Sequence, residues 1–253
     1  MRIPPNLRIN ADDFGLSPSI SRAIVSAASR GLINSVSVVP FDDDESAHLL
    51  TLLASMPGVR IGAHLTFIEV PLLTRPPAFT DGIPPANYRT FLTTFLSGRV
   101  HIQDVRHEWS AQLDLLGSRI GAGRIHHLDS HQHIHALPGL WSVAQTLQRE
   151  LAIPVLRTPY ERGHRPWLKQ FPMGAGLQGL AWVRARGASE HFYGVGTSMA
   201  FSAQRYVKLQ RTLARDHVGR YELMVHPDED ARGQRELDEL SRWLDGVSAK
   251  PAN

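Results

Sequence analysis

The feature that most narrows the fold of this chain is a repeated unit. An apolar, strand-like run ends on a polar residue and is followed by a helix start. Leu7-Arg8-Ile9-Asn10-Ala11 runs into Asp12-Asp13-Phe14-Gly15, after which Ser17 reads as an N-cap and Pro18 as the first helical residue. Ile20, Ala23, Ile24, Ala27 and Ala28 recur at helical spacing until Gly31 closes the helix. A second strand is expected over 34–39. The acidic run Asp42-Asp43-Asp44-Glu45 then suits the dipole of a helix bearing Leu49, Leu50, Leu52 and Leu53. Further strands are expected over 59–65, 124–128, 153–157 and 221–225, with helices over 91–96, 105–116, 140–151, 202–214 and 235–244. Strands alternating with helices imply a parallel sheet. About six or seven such units fit the length, fewer than the eight of a complete barrel. The expected architecture is therefore α/β: a distorted or incomplete (β/α) TIM-like barrel, in a single domain spanning 1–253.

Composition removes several classes of function. The 253 residues include no cysteine, so disulfides, thiolate zinc sites, iron–sulfur clusters and a cysteine nucleophile are excluded. The net charge of +3 comes from bases scattered among acids, which is a solvated surface with only a weak pull on anions; no nucleic-acid partner is expected. No apolar run is long enough for a secretory signal or a membrane span. The expected location is the cytoplasm. Two stretches break the strand–helix rhythm. One is a proline-rich loop over 71–85, and loops of that length tend to be functional. The other, over 163–200, mixes glycine, aromatics and bases and reads as a substrate-side insertion with a helical piece near 180–186.

The chemistry is foreshadowed by position. Five of the thirteen histidines fall within His126-His127-Leu128-Asp129-Ser130-His131-Gln132-His133-Ile134-His135, where a strand opens into a loop. Imidazole is the commonest nitrogen donor to protein-bound metals. Asp12, Asp13, His64, His131, Arg157 and His226 all lie at the C-terminal ends of different expected strands, which converge on one face of a parallel barrel. Two imidazoles and one carboxylate with room for water make a typical hydrolytic metal site, in which a divalent ion polarises a carbonyl and acidifies water. Adjacent Asp12 and Asp13 point opposite ways on a strand, so one can bind metal while the other faces the attacking water. A nearby cation such as Arg157 would keep that carboxylate ionised. His133 and His135, on the same side as His131 if the strand continues, are candidate substitute ligands or substrate contacts, as are Glu161 and Trp167. Trp182, Phe192 and Tyr193 join Trp167 as aromatic candidates for stacking on a substrate.

The opening Asn10-Ala11-Asp12-Asp13-Phe14-Gly15, the strand ending in His64-Leu65, the Asp129-Ser130-His131-Gln132-His133-Ile134-His135 block, Arg157-Thr158-Pro159 and the late His226-Pro227 resemble, in the same order, the YdjC-like carbohydrate deacetylases (ChbG and HpnK type). The resemblance implies a distorted (β/α) barrel and metal-dependent removal of an acetyl group from an N-acetylated amino sugar. It assigns Asp13, His64 and His131 to one divalent ion, Asp12 to the base and His226 to the acid. Magnesium is the usual metal of the family, whereas two nitrogen donors favour zinc. Gly62-Ala63-His64-Leu65-Thr66-Phe67 and His226-Pro227-Asp228 depart from the family's usual wording at positions that bear on the substrate rather than on the ligands. Two rival readings use the same residues: a phosphoesterase or other amidase, and an inactive sugar-binding relative. Barrel amidohydrolases carry a His-x-His pair on the first strand, where this chain has Asp12-Asp13. The expected partner is a sugar, and a homodimer is anticipated.

Overall fold

The computed structural model describes residues 3–161, 184, 190–194 and 203–248. Seven strands form one sheet: β1 (Leu7–Phe14), β2 (Ser35–Val38), β3 (Arg60–Leu65), β4 (Ile125–Ser130), β5 (Val155–Leu156), β6 (His191–Tyr193) and β7 (Tyr221–Val225). Its order is β5-β4-β3-β2-β1-β7-β6, and every neighbouring pair is parallel. The helices are α1 (Pro18–Ser29), α2 (Asp44–Ser55), α3 (Tyr88–Leu96), α4 (Ile102–Ile120), α5 (Leu140–Glu150), α6 (Ala203–Leu213) and α7 (Ala231–Ser248). Ser17 caps α1 by accepting from the Ile20 amide, and Asp43 caps α2 by accepting from Ser46, as the residue types require.

This strand order is that of a barrel cut between β5 and β6. The curl is measurable. Arg157, just past β5, reaches Glu222 on β7 at 2.6 Å, although five inter-strand steps would separate them by roughly 24 Å in a flat sheet. Closure is another matter: among the described residues β5 and β6 do not pair, and they remain the two edges of a curled half-barrel. A side-chain bond nevertheless spans the gap, from the Gly194 amide to Glu161 Oε2 at 3.1 Å. The expected barrel is thus reduced to an open parallel sheet. β6, which the sequence reading absorbed into the insertion, is one of its strands. Most of 163–200, with Trp167, Trp182 and the helical piece expected near 180–186, lies outside the described residues.

The two faces of the sheet differ sharply. Ile9, Ala11, Val36, Val38, Leu65 and Leu223 join one apolar core with Ile24, Leu50, Trp109, Leu113 and Leu147 from the helices. The other residues of the period-two alternation are polar and equally buried: Arg8, Asn10 and Asp12 on β1, Ser35 and Ser37 on β2, His127 and Asp129 on β4, Glu222 on β7. Gly62 on β3 makes room for that layer. A Cβ there would stand 2.3 Å from the His127 ring, so the ring packs directly on the backbone.

Candidate active site

The C-terminal ends of the strands carry the site, and a distortion of β1 builds it. Ala11 pairs with Val36 but Phe14 pairs with Val38, so β1 carries an extra residue. Asp13 absorbs it with φ +70, in the left-handed region. The bulge re-aims Asp13 away from Asp12 and over the pocket. Its Oδ1 lies 3.2 Å from His64 Nε2 and accepts from His131 Nδ1 at 2.7 Å. His226, next along the chain from β7, brings Nε2 to 4.0 Å from Asp13 Oδ2 on the opposite side and keeps a third of its side chain exposed. Asp12, by contrast, points into the buried polar layer and is gripped by Arg157 through two bonds of 2.7 Å.

Behind these residues runs a chain of alternating charges. Arg157 also meets Asp129 at 2.8 Å and Glu222 at 2.6 Å. Glu222 continues to Arg8 at 2.6 Å, and Arg8 to Glu190 at 2.7 Å. Asn10 donates to Asp12 Oδ1 and to Ser37, whose hydroxyl donates to Asp129. Asp129 Oδ1 in turn accepts from His64 Nδ1 at 2.6 Å, which turns Nε2 toward Asp13. A carboxylate behind a ligand histidine fixes its tautomer and orientation. Asp129 has this position although the sequence reading gave it no role.

Two triads of side chains here are close enough to share an ion: Asp13, His64 and His131, and Asp12, His64 and Asp129. The second is crossed by the Arg157 guanidinium, which bonds both of its carboxylates, so a cation already stands there. The first is not crossed by one. With His64 neutral, as a metal ligand must be, the surrounding charge also favours a cation: among the described residues four carboxylates, of Asp12, Asp129, Glu190 and Glu222, face two guanidiniums, of Arg8 and Arg157. Burial pushes the Glu222 carboxyl up, against the pull of Arg157 and Arg8. The donor set and its charge thus fit a divalent ion held by Asp13, His64 and His131.

The rest of the histidine block does not extend β4. Residues His131–Ala136 form a 3-10 turn, with Gln132 at φ +48 and His133 at φ +56. The alternation expected for a continuing strand is therefore lost. His135 has both ring nitrogens engaged: Ser130 Oγ donates to Nδ1 at 2.5 Å, and Nε2 donates to the Arg157 carbonyl at 3.0 Å. It secures the turn to the end of β5 and has no nitrogen left for a ligand. His133 packs edge-on to Phe192, and its Nδ1 is buried without a partner. Tyr193 packs in the core near Tyr221.

Proton positions in the pocket follow from these contacts. Burial would depress the His64 imidazole, but the charges of Asp129 and Asp12 and the bonds to Asp129 and Asp13 raise it to about 10. Burial likewise opposes, and bonds to Asp13 and Glu69 overcome, a rise of His131 to about 9. Burial would lift Asp13, yet both rings hold it well below the usual carboxylate range. Each ring must then shed the proton facing Asp13 before it can donate to a cation. The expected result is that Zn²⁺ affinity, measured by chelator competition, falls as pH drops below about 9, by up to about 100-fold per unit for two protons. Calorimetry in buffers of different ionisation enthalpy counts the protons released. An affinity that stays level between about pH 6 and 8 removes these residues as the cation site.

A curled parallel sheet with Asp13, His64 and His131 gathered at its strand ends defines an α/β protein whose candidate site lies where the strands finish. The family model described as YdjC-like protein matches residues 6–245, and the chain belongs to that family. A carbohydrate deacetylase from Brevibacillus brevis is 28% identical over 228 residues, covering 87% of this chain and 80% of the relative. A chitooligosaccharide deacetylase from Klebsiella pneumoniae is 27% identical over 226 residues, covering 87% and 81%. A crystal structure from Enterococcus faecalis, provisionally described as a cellobiose-phosphate cleavage protein, superposes with a TM-score of 0.66 at 21% identity, covering 98% of this chain and 96% of the other; it shares the fold. No helix among the described residues is long and apolar enough to cross a membrane.

Proposed function

We propose that this chain is a metal-dependent hydrolase that removes the acetyl group from an N-acetylated amino sugar. The family and the names of its relatives support carbohydrate deacetylation. The observation that carries the hydrolytic reading is the meeting of Asp13, His64 and His131 beside the Asp12–Arg157 pair, with His226 facing them from solvent. Asp13, His64 and His131 would hold the ion, and their two nitrogens suit zinc better than magnesium. When bound, such an ion supplies Lewis acidity, polarising the amide carbonyl and acidifying water.

The chain's own residues supply proton traffic and orientation. Asp12 is the general base. Arg157 and Asn10 fix its plane, while Oδ2, which among the described residues accepts from Arg157 alone, keeps a lone pair for a proton from water. Arg157 is a positioning residue, since its guanidinium is fully buried and is held by the carboxylates of Asp12, Asp129 and Glu222 and by the Met224 sulfur. His226 gives a proton to the departing amine nitrogen, so that amide and water become acetate and free amino sugar. The test is incubation with N-acetylglucosamine oligomers and, separately, a phosphodiester. Acetate is expected, abolished by a chelator and restored by Zn²⁺ or Mg²⁺. Phosphate without acetate overturns the proposal.

A further inference from the structure

We infer that Glu69, carried on an anchored loop after β3, is a positioning residue that holds the His131 ring with Nδ1 toward Asp13 and the candidate ion position. The inference rests on the metal-site reading. Glu69 Oε2 accepts from His131 Nε2 at 3.0 Å, on the side of the ring opposite Asp13. Its other oxygen accepts from Gln132 Nε2 at 2.6 Å, so the carboxylate is held at both ends. The arrangement repeats the one behind His64. There Asp129 takes Nδ1 and leaves Nε2 to the pocket; here Glu69 takes Nε2 and leaves Nδ1. A carboxylate on the remote nitrogen selects which nitrogen keeps its proton and therefore which one can ligate.

The loop is built to present this side chain. Its first residue, Thr66, is bonded by Gln112 of α4 through both its amide and its carbonyl, at 2.9 and 2.8 Å, and Trp109 Nε1 donates to the same carbonyl. Further along, Glu108 of α4 accepts from the Leu73 and Thr74 amides and the Thr74 hydroxyl. Phe67, Ile68, Val70 and Leu72 point into the core, and Glu69 alone among these neighbours is turned out over the pocket. It does so at φ +63, in the left-handed region that residues other than glycine rarely adopt. Among the described residues, four of the five positive-φ residues other than glycine, Asp13, Glu69, Gln132 and His133, gather at this one place. Glu69 is exposed, so burial of its own side chain does not repay its backbone conformation. Its side chain bonds His131 and Gln132, while its amide donates to the Pro85 carbonyl at 3.2 Å and holds the backbone of the loop.

The test compares the full-length wild type with Glu69→Ala and Glu69→Gln, titrated with Zn²⁺ against a chromophoric chelator. Glu69→Ala is expected to lose roughly 10- to 100-fold in Zn²⁺ affinity. Glu69→Gln, whose amide oxygen can still accept from Nε2–H, is expected to recover most of it. Nitrogen-15 shifts of His131 in the Zn²⁺-loaded protein should show a single Nε2–H tautomer in the wild type and Glu69→Gln, and a mixture in Glu69→Ala. A mere loop latch would move the unfolding temperature of the metal-free protein and leave the tautomer alone. Equal Zn²⁺ affinity in wild type and Glu69→Ala, or an unchanged tautomer, overturns the inference while leaving the proposed function intact. A wild type that binds no Zn²⁺ overturns the metal site and this inference together.

Discussion

Replacing Arg157 by methionine is expected to lower the unfolding free energy by about 3–5 kcal/mol, the usual cost of removing one partner from a buried charge network. The guanidinium has no exposed surface and binds three carboxylates at once, those of Asp12, Asp129 and Glu222. Methionine fills much of the volume and leaves those three acids facing each other, with Arg8 and His64 as the remaining cationic partners. The loss should grow as pH rises. Without the guanidinium the acids bind protons more tightly folded than unfolded, and such groups destabilise the fold above their unfolded pKa. Adding Glu222→Gln removes one of the stranded charges and should recover part of the loss, a coupling readable from a double-mutant cycle. Chemical unfolding measures all four proteins. A single Arg157→Met within about 1 kcal/mol of wild type would mean that the network contributes little to stability.

Asp12→Asn carries the largest expected effect on turnover, a fall of roughly 10²- to 10⁴-fold. Asparagine has nearly the same shape but is not basic, so it cannot take a proton from water. It also turns an amide N–H toward Arg157 in place of a carboxylate oxygen, and some loss of stability will accompany the loss of rate. Turnover is therefore compared per folded, Zn²⁺-loaded molecule. Zn²⁺ affinity is expected to stay within a few-fold of wild type, because Asp12 lies outside the Asp13–His64–His131 triad. Turnover unchanged on that basis excludes Asp12 as the base and leaves it as an anchor for Arg157.

Much of the pocket was legible from strand ends. Asp12, Asp13, His64, His131, Arg157 and His226 were singled out because each follows an apolar run that leads into a turn or helix, and the structure places them around one cleft. The two aspartates do point different ways, Asp13 toward His64 and His131 and Asp12 toward Arg157, with a bulge at Asp13 rather than simple alternation separating them. The supporting residues were harder to see. Arg8, Asn10 and Asp12 alternate visibly along β1, but polar alternation normally marks the solvent face of a strand. Here the curl of the sheet turns that face inward, where it must be satisfied by Glu222, Ser35 and Ser37 from other strands and by Arg157 past β5. Glu69 falls between the strand expected over 59–65 and the proline-rich loop over 71–85, in a stretch with no period, and nothing in its neighbourhood singles it out.

Local order along the chain was enough to determine parallel strands, their helices and the row of ligand-type residues where the strands end. Parallel pairing puts all those ends on one side, whatever the loops do. Only the tertiary structure decided that β5 and β6 do not pair among the described residues, that His135 is a fastener, and that Asp129 and Glu69 stand behind the two histidines. Those outcomes depend on which distant groups must neutralise one another once water is gone. That balance involves residues as far apart as Asp12 and Arg157, and no stretch of sequence contains it.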